Sequence, residues 1–202
     1  MKLKAFELAL VFALILAFVY SCITSARADE LSEKLIRIHV VAASDTDFEQ
    51  NLKLKVRDSV LKYLEPRLNC AKSRDDAIRI INEEKKAVEN AARETIIKSG
   101  QDHSVSVTLE EENFPTRDYG SFSLPSGKYL TLRVTIGEGE GHNWWCVLFP
   151  NVCFAGQLKR ENGAELGLTE DEMSLITRDS EETVIQFRVI EIISKLKMLL
   201  GF

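Results

Sequence analysis

Residues 137–154, GEGEGHNWWCVLFPNVCF, constrain the fold more than any other part of the chain. They contain both tryptophans, three glycines and two of the four cysteines of the protein. A run with so many large apolar side chains gains free energy when it leaves water. The glycines before it and the proline within it are typical of turns. The sequence therefore predicts a turn that leads into a structured, strand-like segment rather than a linker.

Three other segments alternate apolar and polar residues with the period of two that is typical of strands. They are residues 35–42, 105–109 and 129–136. In the first, Arg37 and His39 share one face, which predicts a half-buried strand. The glutamates at positions 110–112 are expected to return the chain to solvent, and the strands at 105–109 and 129–136 are expected to pair.

Two helices are predicted between these strands. Asp47 and Gln50 have the spacing of a capping box, apolar residues recur over residues 48–64, and Pro66 is expected to prevent continuation. Ser73 and Asp76 begin a second helix in the same way, and the Ser-Gly pair at 99–100 ends it.

The C-terminal part repeats this pattern after a polar stretch. Thr169 and Glu172 form another capping-box pair, and residues 184–200 carry an apolar stripe at helical spacing. We expect this amphipathic helix to dock on its own domain. The predicted class is α+β, with a small antiparallel or mixed sheet packed with two N-terminal helices, plus a C-terminal amphipathic helix.

The first residues predict export. Lys2 and Lys4 precede an uncharged apolar stretch at 8–20, and small residues flank Arg27, so residues 1–28 are expected to be a signal peptide that is cleaved after Ala28. Two alternatives are an uncleaved membrane anchor and a lipid anchor on Cys22. Residues 29–202 then form a single domain. The net charge of −5 argues against nucleic-acid binding.

Two patterns suggest ligand sites, but each has a simpler explanation. The glycines at 137–141 are typical of phosphate loops, yet Glu138 and Glu140 would repel an anion. Asp45 and Asp47 could bind a hard cation, but a helix cap explains both without further ligands. The histidines and cysteines lack the spacing of a zinc site. We predict neither a metal nor another cofactor.

The cysteines leave two functions open. Cys146 and Cys153 can close a local disulfide or can be two buried thiols, and Cys70 is expected to be free. With His142 as its base, a free Cys146 would make the chain a secreted thiol hydrolase. A disulfide at Cys146 would exclude that activity.

A binding function is the other class. Trp144 and Trp145 are adjacent in a predicted strand, so their side chains are expected to point to opposite faces. Both can be core residues that the C-terminal helix covers, because aromatic side chains are often largely buried. Alternatively, one ring is exposed, and exposed tryptophan is favoured at protein interfaces. The residues at 142–145 are therefore the predicted partner-binding residues: His142, Asn143, Trp144 and Trp145.

Several motifs resemble the stage II sporulation protein R family of endospore-forming bacteria. The resemblance covers most of the chain from the predicted cleavage site to Phe154, and the glycine-rich turn with the NWWCVLFP run is its most specific part. The motifs are IRIHVVAASD (36–45), LKLKVRD (52–58), FPTRDYG (114–120) and LPSGKYLTLRVTIGEGEGHNWWCVLFPNVCF (124–154).

This resemblance implies a role as an intercellular signal and not as an enzyme. Members of the family are made in the forespore and exported into the space between the forespore and mother-cell membranes. There they trigger a membrane-embedded aspartic protease of the mother cell, which processes the precursor of sigma factor E. The implied partner is the extracytoplasmic part of that protease.

Overall fold

The computed structural model describes residues 2–120, 122–150 and 168–176. The helices are α1 (Lys2–Lys34), α2 (Asp47–Leu68), α3 (Arg74–Lys98) and α4 (Glu170–Ile176). The main sheet contains β1 (Ile36–Val41), β2 (Val105–Phe114), β5 (Gly127–Ile136) and β6 (Asn143–Phe149), and a small second sheet contains β3 (Arg117–Asp118) and β4 (Ser123–Leu124). The predicted α+β class is confirmed.

The main sheet is mixed, with the strand order β2-β5-β1-β6. Strand β5 pairs with β2, as the sequence predicted; the pairing is antiparallel and places Val107 opposite Val134. Strand β1 runs parallel to β5 and antiparallel to β6. Parallel neighbours need a long crossover, and α2 and α3 lie in the connection between β1 and β5.

Helices α2 and α3 cover one face of this sheet and form the larger core, as predicted. Each buries one stripe of apolar side chains, which the four-residue spacing already indicated. The centre of this core combines those stripes with the inward residues of the strands, including Ile38, Leu52, Val60, Ile81 and Leu132.

The predicted start and end of α2 were wrong. Thr46 caps the helix, because its hydroxyl accepts a hydrogen bond from the Glu49 amide at 3.4 Å, and Asp47 lies in the first turn instead. The helix continues through Pro66 to Leu68. A proline this close to the end removes one hydrogen bond of the last turns, and burial of Leu68 in the core offsets that loss.

The other predicted caps are confirmed. The Ser73 hydroxyl accepts a hydrogen bond from the Asp76 amide at 3.1 Å, and α3 ends before Gly100, whose φ of +80° favours glycine. At α4, the Thr169 hydroxyl accepts from the Glu172 amide at 3.2 Å, while the Glu172 carboxylate accepts from the Thr169 amide at 2.8 Å. This reciprocal pair is the capping box that the sequence indicated.

The second face of the sheet differs most from the prediction. Strand β2 continues through the three glutamates to Phe114, and β1 is buried on both faces, including Arg37 and His39. The end of α1, the β3–β4 hairpin and α4 cover this face and supply a second apolar cluster. Its members include Leu31, Phe114, Leu124, Tyr129, Val147 and Met173.

Helix α1 runs without a break through Ala28, whose side chain is buried. Among the described residues, no helix is both long enough and apolar enough to cross a membrane. Cleavage after Ala28 and the boundary of the domain at residue 29 stay predictions. The predicted helix at 184–200 lies outside the described residues.

Candidate protein-binding edge of the sheet

The turn between β5 and β6 is held against the rest of the chain by its own backbone amides. The amide of Gly137 donates to Ser104 O at 2.8 Å, that of Gly139 to Ile136 O at 3.2 Å, and that of Gly141 to Ala42 O at 2.9 Å. Gly137 and Gly139 adopt φ values of +59° and +69°, which glycine accepts without strain. Because these N–H groups donate to carbonyls of the chain, they do not converge on an anion, so the geometry does not support a phosphate loop.

His142 is anchored to the loop that precedes α2. The Asp45 carboxylate accepts from the His142 amide at 2.6 Å and also contacts its Nδ1. Burial alone would raise the pKa of Asp45, but the hydrogen bonds from His142 outweigh it and the net pKa is lowered. Lys53 Nζ donates to His142 O at 2.9 Å from the other side. These contacts fix the start of β6 while the His142 side chain itself stays exposed.

Asp45 and Asp47 therefore do not converge on a cation. Asp45 binds His142, and Asp47 lies in the first turn of α2, where a negative charge complements the helix dipole. Within residues 2–120, 122–150 and 168–176, no group of three or more His, Cys, Asp and Glu side chains could hold a metal ion.

Asn143 belongs to a polar network on the second face of the sheet. His39 lies between two polar side chains, with its Nδ1 2.8 Å from Glu112 Oε2 and its Nε2 2.8 Å from Asn143 Oδ1. The other oxygen of Glu112 accepts from Arg133 Nη1 at 2.9 Å. The network connects β1, β2, β5 and β6, so it holds the first residue of β6 in register.

The two tryptophans lie on opposite faces of β6, as the sequence predicted. Trp144 packs against the core on the helix side, and Trp145 packs against the second cluster. Each ring is only half-buried, and an arginine guanidinium lies over each. Arg57 is 4.8 Å from the centroid of Trp144, and Arg117 is 4.0 Å from that of Trp145. Sequence patterns missed both arginines because each comes from a distant part of the chain.

Cys146 faces the helix-side core next to Trp144 and is disulfide-bonded. Its predicted partner Cys153 lies outside the described residues, so the pairing of these two cysteines stays a prediction. Cys70 is free and exposed. Since a disulfide sulfur cannot act as a thiolate nucleophile, this arrangement removes the basis for a hydrolase that uses Cys146 with His142.

Arg37 is a buried cation that the sequence placed on an exposed face. Its guanidinium lies 3.8 Å from the centroid of Phe114 and 5.0 Å from that of Tyr129, and its Nη2 donates to the Tyr119 hydroxyl. Burial lowers the pKa of Arg37. The aromatic faces stabilise the charge in part, but among the residues that the structure describes, Nε and Nη1 have no hydrogen-bond acceptor. The alternating pattern of β1 gave no sign that its second face is covered.

Comparison with known proteins agrees with the motifs. The family model described as stage II sporulation protein R matches residues 32–159. A protein of Bacillus subtilis (strain 168) called stage II sporulation protein R is 37% identical over 142 residues, which cover 70% of this chain and 62% of the relative. The chain thus spans under two thirds of that relative's length. No solved structure matches the chain.

The fold and these matches define a sporulation protein with a small α+β domain. More specifically, the chain belongs to the stage II sporulation protein R family, and the predicted resemblance is confirmed. Neither the description of the family nor the name of the relative describes an enzyme.

Proposed function

We propose that the chain is an exported intercellular signal of sporulation that activates a membrane-embedded aspartic protease. It acts from the space between the forespore and mother-cell membranes, and the protease then processes the precursor of sigma factor E. In this proposal the chain contributes contact and no chemistry. It binds the extracytoplasmic part of the protease through the start of β6.

One observation carries the proposal: a half-buried tryptophan on each face of one edge strand. Within the part of the chain that the structure describes, β6 pairs with β1 alone. Trp144 and Trp145 therefore present large, rigid apolar surfaces beside a strand edge. Tryptophan and arginine are enriched at the energetic centres of protein interfaces. A strand edge adds backbone hydrogen bonds to which an extended segment can pair.

The contacts around these residues favour binding without rearrangement. Asp45 and Lys53 hold His142, and His39 holds Asn143. A surface that is ordered before binding loses less conformational entropy when the partner arrives. The thiol hydrolase has no comparable support, since Cys146 is disulfide-bonded.

Replacement of both tryptophans by alanine is expected to abolish most of the activation. Truncation of a central interface tryptophan commonly costs about 2 kcal/mol or more, so we expect processing of the sigma factor precursor to fall at least about tenfold. The measurement is an immunoblot of precursor and product in sporulating cells that carry Trp144→Ala with Trp145→Ala.

The matched control is Phe48→Ala, which removes an exposed aromatic ring of α2 that lies outside β6. It should process normally. The amount of each exported variant is measured in the same cells, so that poor folding is separated from poor binding. Normal processing by the double tryptophan variant at normal abundance would refute the proposed interface.

A further inference from the structure

Arg117 lies against the proposed interface without an acidic partner. Its guanidinium stacks on Trp145 at 4.0 Å from the ring centroid, and the residue is exposed on the β3–β4 hairpin. Within the described residues, Arg117 forms no ion pair with a carboxylate. On a chain of net charge −5, an exposed arginine without an acidic neighbour in contact is a local positive feature.

The carboxylates of Asp118 and Glu112 accept hydrogen bonds from other groups. Asp118 follows Arg117 directly, but its Oδ1 accepts from the Gly120 amide at 2.8 Å and from Ser123 Oγ at 3.3 Å, which closes the hairpin turn. Glu112 binds His39 and Arg133 with its two oxygens. Among the described residues, neither carboxylate forms an ion pair with Arg117.

A second cation strengthens the positive potential on this side of β6. Arg37 is fully buried on the same face of the sheet, and two of its guanidinium nitrogens, Nε and Nη1, lack an acceptor within the described part of the chain. Its guanidinium lies 3.8 Å from the centroid of Phe114, and that ring is 6.0 Å from the ring of Trp145. Protein between two cations screens their fields less than water does, so Arg37 adds to the attraction that an anion meets at Arg117.

The opposite side of β6 is different. Arg57 also lies over a tryptophan, Trp144, but its Nη2 is 2.6 Å from Asp58 Oδ1, so it already has a carboxylate partner. Arg57 thus has a carboxylate partner, whereas Arg117 has none among the described residues. An anionic group of a partner is therefore expected to bind on the Trp145 side.

We infer that the Arg117–Trp145 surface binds a segment of the protein partner that carries an Asp or Glu side chain, with the carboxylate on the guanidinium of Arg117. This inference rests on the proposed function and names the chemistry of the partner. Arginine binds a carboxylate through two parallel N–H donors, and stacking on the tryptophan holds the guanidinium plane in position for that contact. An acidic chain can then bind an acidic segment despite its overall charge.

The test is a graded series at position 117 in sporulating cells, with processing of the sigma factor precursor as the readout. We expect processing to fall in the order parent, Arg117→Lys, Arg117→Gln, Arg117→Glu. Arg117→Glu should lower processing at least about tenfold. It replaces an attraction by a repulsion, and the change in binding free energy exceeds about 1.4 kcal/mol. Arg93→Glu is the control, since Arg93 is an exposed arginine of α3. Processing in cells that carry this variant should stay within about twofold of that in the parent.

A charge swap identifies the acidic residue. Single Asp→Lys and Glu→Lys changes are introduced into the extracytoplasmic part of the proposed protease in cells that carry Arg117→Glu. One of them should restore processing. Equal processing by the parent and by Arg117→Glu would overturn the inference, and so would the failure of every single reversal to restore it.

The two proposals fail separately. If the tryptophan variants lose processing while Arg117→Glu retains it, the proposed interface is supported and the inference of an acidic partner segment is wrong. If the tryptophan variants process normally, the proposed interface is wrong, and the inference at Arg117 falls with it.

Discussion

Gly141→Ala is expected to lower the stability of the domain and to displace the start of β6. A Cβ atom at this position would lie 2.4 Å from Ser44 O and 2.6 Å from Ser44 C, and also 2.9 Å from Ala42 Cβ. Two of these atoms are backbone, so no rotamer change can relieve the overlap. The loop before α2 and the turn before β6 must move apart.

That movement breaks the contacts which hold the proposed interface. The amide of Gly141 donates to Ala42 O, and the next residue, His142, is bound by Asp45 and Lys53. Overpacking typically lowers the free energy of unfolding by about 1–3 kcal/mol, and we expect a decrease at the upper end of this range. Since about 1 kcal/mol shifts the Tm of a domain of this size by about 2–4 °C, the change is measurable by thermal unfolding.

Gly127→Ala is the matched control for this substitution. Gly127 lies in β5 with ordinary φ, and an added Cβ would meet only the ring of Tyr129 at 3.5 Å, an ordinary contact. Its Tm should stay within a few degrees of the parent value. A Gly141→Ala variant with the Tm of the parent would show that the two loops are not in close contact.

Local signals in the sequence predicted the elements that depend on neighbouring residues alone. Ser73 and Thr169 cap their helices because a hydroxyl and an amide three residues later are always close at a helix start. The alternation in residues 129–136 predicted β5 in the same way. Such signals fail where two local rules compete, as at the start of α2, where Thr46 and not Asp47 is the cap.

The covered second face could not be predicted, because its cover comes from distant parts of the chain. The pattern in β1 separates Arg37 and His39 from the apolar residues, which is equally typical of an exposed face. Only the fold brings Leu31 of α1 and Met173 of α4 over that face. The same limit applies to the candidate site: the sequence predicted the tryptophans, but not the arginines that stack on them.

Glu112→Ala is expected to destabilise the domain because it leaves two partners without their acceptor. The Glu112 carboxylate binds His39 on one side and Arg133 on the other, and both His39 and Glu112 are largely buried. Removal of one member of a buried pair costs more than the pair contributes, since the remaining group stays desolvated. Arg133 can turn toward water, so the cost comes mainly from the buried His39. We expect the free energy of unfolding to fall by about 2–3 kcal/mol.

The neighbouring glutamate provides the control on the same strand. Glu111 is exposed and contacts Lys128 at the surface, so Glu111→Ala should change the free energy of unfolding by no more than about 0.5 kcal/mol. Glu112→Gln should cause an intermediate decrease in the free energy of unfolding, about 1 kcal/mol, because the amide keeps one acceptor oxygen and loses the charge. Urea unfolding followed by tryptophan fluorescence measures all three, and both tryptophans of the chain lie in β6 beside this network. Equal losses for Glu111→Ala and Glu112→Ala would mean that the network does not hold β6 in register.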